Sequence, residues 1–372
     1  MKKFILFVII LVASLAAVTR VRYGGGDPYP DLSTSPLMNE SELEEVVSYP
    51  EPIGNVAVSS SGRVFFTVHP ESRPPGNKLL EFITGAAEPF PNGAMQSRLF
   101  DTVLGIVIDS QDRLWTIDHG NHGMRAARLL AFDLDTGELI HDQVFDKSIA
   151  PAGSFLQDLQ VSSDGRTVVI ADASFWRKAP AIIVYDITTA TARRVLGSHS
   201  SVFAEDFIIR NHGREMTYFG GIAALRGGVD GIALGPEWLY YGALSGSSLY
   251  RVRLDALTNA SLSNAELEAR VERVASKPLS DGLSIDVEGN VYGADVEHGS
   301  IFRVTEGKAV QTLLRSTRIR WPDALSFGPD GWLYLADSAL ADVVLQPRDH
   351  IKAQGPYKIF RLRPGAEGRP GH

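Results

Sequence analysis

Short runs in which apolar and polar residues alternate recur along most of the chain, each broken by Asp, Gly or Asn. The stretch LSDGLSIDVEGNVYGADVEHGSIFRV (279–304) shows the unit. It holds an alternating run over 282–286, a turn at Glu288-Gly289, a second run over 291–294, a polar loop, and a third run over 301–304. Alternation with a period of two, bounded by turn residues, predicts consecutive antiparallel strands. Five more copies follow the same plan: NVAVSSSGRVFFTV from Asn55, LGIVIDSQDRLWTID from Leu104, QDLQVSSDGRTVVIAD from Gln157, DGIALGPEWLYYGA from Asp230 and PDALSFGPDGWLYLAD from Pro322. Their first turns lie near Gly62, Asp112, Gly165, Glu237, Gly289 and Gly331, at intervals of 50, 53, 72, 52 and 42 residues. A repeat of about 40–50 residues holding four strands is one blade of a propeller. Six copies therefore predict an all-β fold, a six-bladed β-propeller over residues 41–364.

The last repeat has a third strand at 357–362 and then ends, which leaves one edge unpaired. LEEVVSY (43–49) reads like the outermost strands RVERVAS (from Arg270) and AVQTLL (from Ala309). An exposed edge is a liability that a closed ring removes. Residues 43–49 are therefore expected to complete the last blade.

The segments outside the repeats carry a different composition. Lys2 and Lys3 precede an apolar run from Phe4 to Val18, shorter than the ~20 residues a spanning helix needs. Residues 1–26 are expected to be a signal peptide, with an uncleaved N-terminal anchor as the alternative. Both place the folded part outside the cytoplasm. Residues 27–40 read as a linker and 365–372 as a disordered tail. The net charge of −8 argues against a nucleic-acid partner. The absence of cysteine removes disulfides, thiolate metal sites and thiol nucleophiles. A monomer is expected, with membrane contact only through the N-terminal segment where that is retained.

Loop lengths point to a working face. The first turn of each repeat is tight, whereas the next connection is long at 69–78, 119–128, 173–180 and 338–356. The longest insertion, about 197–229, joins the third and fourth repeats. In a propeller these connections share one face, and long loops on a rigid scaffold are where sites are built. Residues 257–269 are the exception and predict a short helix on the opposite face.

The inner strands begin on that face with polar residues: Asn55, Asp158, Asp230, Asp281 and Asp323, with Gly105 in the second repeat. Carboxylates gathered at one mouth repel unless a proton or a cation neutralises them. Asn55, Asp158, Asp230 and Asp281 are thus candidate ligands of a divalent cation, Ca²⁺ before Mg²⁺ or Mn²⁺, because all their donors are oxygen. The alternative is that each Asp caps its own turn. A second series (Asp118, Asp172, Asp295, Asp337) closes the second strands and reads as scaffold that accepts loop N–H groups. His119 and His122 in DHGNHG are candidates for a general base or for ligand contact. Phe155, Phe175, Trp176 and Trp321, with Asp323, are candidate walls for a small organic ligand. No organic cofactor is expected. There is no GxSxG, P-loop or HExxH motif.

The block DGIALGPEWLYYGALSGSSLYRV (230–252) resembles the major royal jelly protein and yellow family, whose corresponding stretch reads DGIALSP, then LYY and SLY. RLWTIDHG (113–120), VVIADAS and AIIVYD (within 168–186) fit the same pattern. The resemblance implies a secreted six-bladed propeller that binds a small ligand in a central pocket. More distantly, SDGLSIDVEGNVYGAD (280–295) is similar to gluconolactonase and SMP-30 propellers, where a Glu, an Asn and an Asp hold a metal and the Asp serves as base. Asp281 matches that Asp, while Asp230 falls at the Asn and Asn55 at the Glu. Three readings follow. The first is a ligand-binding protein; the second is a metal-dependent lactone or ester hydrolase with Asp281 and His119 as its catalytic candidates; the third is an isomerase of dopachrome type, acting on a quinone-like substrate.

Overall fold

The computed structural model describes every residue of the chain except Glu306. Six four-stranded antiparallel sheets are arranged as the blades of a propeller. From the axis outward, the first blade runs Ile53–Val58, Val64–Val68, Leu79–Ile83 and Ala86–Pro89. Blades two to five repeat this order, with inner strands Val103–Ile108, Leu156–Val161, Val229–Leu234 and Leu283–Ile285. In the sixth blade Pro322–Phe327, Leu333–Asp337 and Tyr357–Leu362 are joined by Glu44–Tyr49, which pairs antiparallel with Tyr357–Leu362. Start and end of the ring thus share one sheet.

Apolar residues of adjacent sheets interlock to form the core. Between the second and third blades, Trp115 and Ile117 pack with Leu156 and Ile170. Polar residues at the hairpin turns are held rather than exposed. Asp109 accepts from Trp115 Nε1 at 2.8 Å, and Asp286 accepts from Tyr292 Oη at the same distance. Each Asp ties the first turn of its blade to an aromatic ring one strand further out.

The terminal segments differ from the expectation. Lys2–Tyr23 is one helix of 22 residues, longer than the apolar run alone. Residues 27–40 do not hang free: Asp27–Pro28 pairs in parallel with Phe207–Ile208, and the backbone of Leu37 and Met38 donates to the carbonyls of Thr312 and Leu313. Residues 257–269, predicted as one short helix, lie across two, Leu254–Thr258 and Asn264–Glu268, the second opened by a Ser263–Glu266 capping box.

Residues 365–372, expected to be disordered, close the turn side of the axis instead. Val287 N donates to Glu367 O, Gly371 N to Phe327 O, Ile108 N to Gly371 O and Phe327 N to His372 O. The His372 ring is buried, with Nδ1 2.7 Å from Gln160 Oε1, and burial pushes its pKa down to about 3. Sequence composition cannot disclose this, because Gly- and Pro-rich segments read as loop whether or not their N–H groups find partners.

Because the tail bonds strands of the second and sixth blades, it acts as a strap across the ring. Deleting residues 366–372 removes several buried backbone bonds, each contributing about 1 kcal/mol. A melting temperature lowered by several degrees is expected in calorimetry. An unchanged transition would show that the strap carries no stability.

Candidate functional site

Axial residues sort into two layers when counted back from the last residue of each inner strand. Three positions back stand Asn55, Gly105, Asp158, Gly231, Gly282 and Ala324. Four positions back stand Gly54, Leu104, Gln157, Asp230, Asp281 and Asp323. Five of the six blades have a register irregularity here, as between Val229 and Ile232 or Pro322 and Ala324. The extra residue turns the two layers toward different ends of the channel.

In the lower layer Asn55 Nδ2 donates to Asp158 Oδ1 at 3.1 Å. Together with Gln160 and His372 they face a narrow polar space at the tail end of the axis. In the upper layer Asp281 is held from two sides. Gln157 Nε2 donates to Oδ1 at 3.0 Å and Trp321 Nε1 to Oδ2 at 2.7 Å. Asp230 is almost fully buried, and its Oδ1 has no hydrogen-bond partner among the described residues. His69 Nε2 lies 3.1 Å from Asp323 Oδ2 but is not aligned for a hydrogen bond. Behind this layer the buried Lys277 ammonium donates to Ala243 O, Pro278 O and Ser280 Oγ at 3.0–3.2 Å.

Above the upper layer an apolar cavity opens on the loop-rich face. Its floor is Gln157, Asp230 and Asp281. Its walls are Phe155, Phe175, Trp176, Leu225, Leu244, Leu340 and Val344, with His69, Glu71 and His122 on one side. The His122 ring stacks on Phe155, with centroids 4.7 Å apart and planes at 15°. His122 Nε2 lies 2.7 Å from Glu71 Oε1.

Several candidates read from the sequence meet here and others do not. Phe155, Trp176, His122, Asp230 and Asp281 line the cavity, as does Phe175. Trp321 does not: its ring is fully buried below the floor, where it orients Asp281. His119 is buried beneath His122 and Phe155, with Nδ1 accepting from His122 N at 2.9 Å. Asp323 lies behind the floor beside His69. The sequence reading missed His69, Glu71 and Gln157. His69 was legible, since it directly follows the second strand of its blade, as His119 does. Both imidazoles accept a backbone N–H from their own loop.

Three of the second Asp series hold the loops that enter their inner strands, while Asp295 accepts from Glu297 and His298 in the loop that follows it. Asp118 accepts from the N–H groups of Asp101, Thr102 and Gly120; Asp172 from Phe155 and Ser174; Asp337 from Arg320 and Trp321. Each therefore fixes the loop that enters its own inner strand. Through Asp172 the cavity wall residue Phe155 is held, and through Asp337 the ring of Trp321.

Burial dominates the electrostatics. It raises Asp230 well above the carboxylate range, and the neighbouring Asp281, Asp158 and Asp323 add to this. Burial raises Asp281 and Asp323 in the same way. For Asp158 burial outweighs the Asn55 and Ile232 hydrogen bonds and brings the pKa to about 7. Lys277 is pushed down to about 7 by burial, against the pull of Glu205, Asp230 and Asp281. Burial would also raise Glu71, but the hydrogen bond and charge of His122 overcome it and bring Glu71 to about 2. Burial thus weighs against ionisation of the floor carboxyl groups.

Asn55, Asp158, Asp230 and Asp281 do not form one ligand set. Asn55 and Asp158 bond each other in the lower layer, and both oxygens of Asp281 are taken by neutral donors. Gly54, which has no side chain, stands at the upper-layer position of the first blade. Among the described residues, the one trio of His or carboxylate ligand atoms within 4.8 Å of one another is Asp31, Asp295 and His298, away from the cavity.

The family model described as "Major royal jelly protein" matches residues 101–326. No curated protein sequence matches the chain. Among solved structures, a gluconolactonase from Xanthomonas campestris is similar at 13% identity and a TM-score of 0.54, covering 91% of this chain and 97% of its own. The calcium-binding protein regucalcin from Agrobacterium tumefaciens is similar at 16% identity and a TM-score of 0.55, covering 91% and 98%. A luciferin-regenerating enzyme is similar at 12% identity and a TM-score of 0.57, covering 88% and 97%. Likeness at these identities establishes the shared propeller fold and leaves activity to the site.

Asp158 gives a pH signature. Its folded pKa of about 7 exceeds the ordinary 3.8. Between these values the folded chain holds a proton that the unfolded chain has lost, so stability falls as pH rises through this window. Asp158→Asn keeps the acceptor for Asn55 and removes the titration. It is expected to stabilise the fold at pH 8 by on the order of 3 kcal/mol and to change little at pH 4. Equal melting shifts at both pH values would show that Asp158 is ionised in the native ring.

Proposed function

The chain belongs to the major royal jelly protein family, and we propose that it is a binding protein for a small, flat, largely apolar organic molecule held in the central cavity. The observation that carries this reading is Asp230. A buried carboxyl with an unpartnered oxygen on the floor of an apolar cavity is a group waiting for a polar partner. Burial and the neighbouring carboxyls push it toward the neutral form, in which it can donate to or accept from one hydroxyl, carbonyl or amide of the ligand. The aromatic walls of Phe155, Phe175 and Trp176 suit a ring on the ligand. The same reading places the chain outside the cytoplasm, supported by the apolar helix at its start.

Lactone or ester hydrolysis is the weaker reading. Asp281, its candidate base, is raised well above the carboxylate range by burial, against the lowering pull of the Trp321 hydrogen bond, and both its oxygens already accept from fixed donors. The candidate cation ligands lie in two layers, which supports neutralisation of the ring by protons.

The test uses 2-naphthol, a flat probe with one hydroxyl, and the full chain in detergent, read by titration calorimetry. One-to-one binding is expected, weakened about tenfold by Trp176→Ala, a loss of ~1.4 kcal/mol. Asp230→Ala should weaken it about as much, whereas Asp230→Asn, neutral and hydrogen-bonding, should stay within about threefold of wild type. If Asp230→Asn loses as much as Asp230→Ala, the site needs a charged carboxylate and the neutral floor is wrong. A lactone turned over by the wild type and not by Asp281→Asn would replace binding by hydrolysis.

A further inference from the structure

The helix that opens the chain ends at the mouth of the cavity. Its 22 residues extend about 33 Å; the apolar run Phe4–Val18 covers about 22 Å of this, so the flanking Lys and Arg side chains must snorkel for the helix to cross a hydrocarbon core of about 30 Å. None of the apolar stretch Lys3–Tyr23 is buried against the protein. Its last turn is bonded to the rim. Tyr23 Oη donates to Trp176 O at 2.7 Å and Arg22 Nη2 to Arg177 O at 2.8 Å, while Arg20 donates to Gly221 O. Arg226 Nη2 returns a bond to Gly24 O at 2.8 Å. Trp176, to which the helix is tied, also lines the cavity.

The same rim carries large apolar side chains in the open. Trp176 is 42% exposed, Leu345 44% and Phe219 70%. Leu345 lines the cavity, and Phe219 tips the hairpin whose return strand packs on the helix. Around them stand Arg20, Arg22, Arg177, Lys178 and Arg226, with Lys178 Nζ 5.5 Å from the Tyr23 ring and 4.5 Å from Phe175. In a chain of net charge −8 this is a local concentration of cations.

We propose that the loop-rich face rests on an anionic lipid bilayer, with the cavity mouth at headgroup level, and that the cavity takes its ligand from the membrane. Tyr, Trp and Arg at the end of an apolar helix are side chains that settle at the lipid–water interface. The hydrogen bonds from Arg22 and Tyr23 fix the rim at that depth. Basic side chains near a leaflet of anionic lipid are drawn to it electrostatically. Where the helix is retained and spans the bilayer, it commits this apolar and basic rim to lipid and not to a soluble partner. The ligand class is then a membrane-partitioned molecule with one polar group, a conclusion that rests on the binding reading above.

The experiment places the full chain in vesicles of phosphatidylcholine with one-fifth phosphatidylglycerol, part of the lipid being brominated near the carbonyl end of its acyl chains. Of the five tryptophans, Trp176 alone is expected to be quenched, so that Trp176→Phe abolishes the loss of emission. Arg22→Glu with Arg177→Glu should reduce the quenching several-fold, with 2-naphthol binding in detergent unchanged. Phe219→Ser, at an exposed position, should weaken it without disturbing the fold and serves if the charge variant does not fold. Absence of quenching at Trp176, with 2-naphthol still bound in detergent, would overturn the membrane-facing mouth and leave the binding reading standing. Quenching at Trp176 without 2-naphthol binding would confirm the surface and remove the ligand.

Discussion

In three of the six blades the inner strand passes so close to the next blade that no side chain fits between them. A Cβ on Gly105 would lie 2.0 Å from Gln157 O, one on Gly231 2.2 Å from Asp281 O, and one on Gly282 2.5 Å from Asp323 O. All three glycines stand three positions before the end of their strand. At each such point the backbone carbonyl of the next blade fills the space, and Gly282 N donates to Asp323 O across it. The position just before is then the place where a side chain faces the loop side. Gln157, Asp230 and Asp281 occupy it and form the cavity floor. At Asp230 and Asp281 the site thus follows from ring closure, since each stands directly before an excluded position.

Collecting carboxyl groups in so dry a place fixes their protonation state. Asp230, Asp281 and Asp323 come from consecutive blades, and each charge would be felt by the other two with little water to screen it. The buried Lys277 does not cancel this, because its ammonium is engaged by carbonyls and a hydroxyl and is itself pushed toward neutrality. A fixed metal would require these oxygens to converge, and the donors from Trp321 and Gln157 hold Asp281 in a different arrangement. The floor is a set of hydrogen-bonding groups, pushed toward their neutral forms, under an apolar chamber.

Six blades, their turns and the loop-rich face were legible in the sequence, because period-two alternation and Asp-Gly turns are local signals. The axial ring was legible only in part. Asn55 and Asp158 stand one residue nearer the strand end than Asp230, Asp281 and Asp323, an offset plain in the sequence once the strand ends are aligned. Reading all five as one series merged two layers, although one residue moves a side chain to the other face of a strand. The buried Trp321 and His119 were misplaced for a different reason. Proximity in the chain to a loop does not say on which side of a strand's first residue a side chain falls. The tail strap was invisible, since its bonds are made by the backbone.

The two ends of the axis now differ in kind. The tail end is closed by hydrogen bonds from residues 366–372 and contains the polar set Asn55, Asp158, Gln160 and His372. The loop end is open, aromatic and tied to an apolar helix. A channel closed at one end and greasy at the other is suited to admit a molecule from one side and hold it, with no route for it to pass through. That asymmetry argues for retention over transit. On the proposed binding reading, selectivity would lie in Asp230 and the walls above it, and the environment of the mouth would decide which molecules arrive.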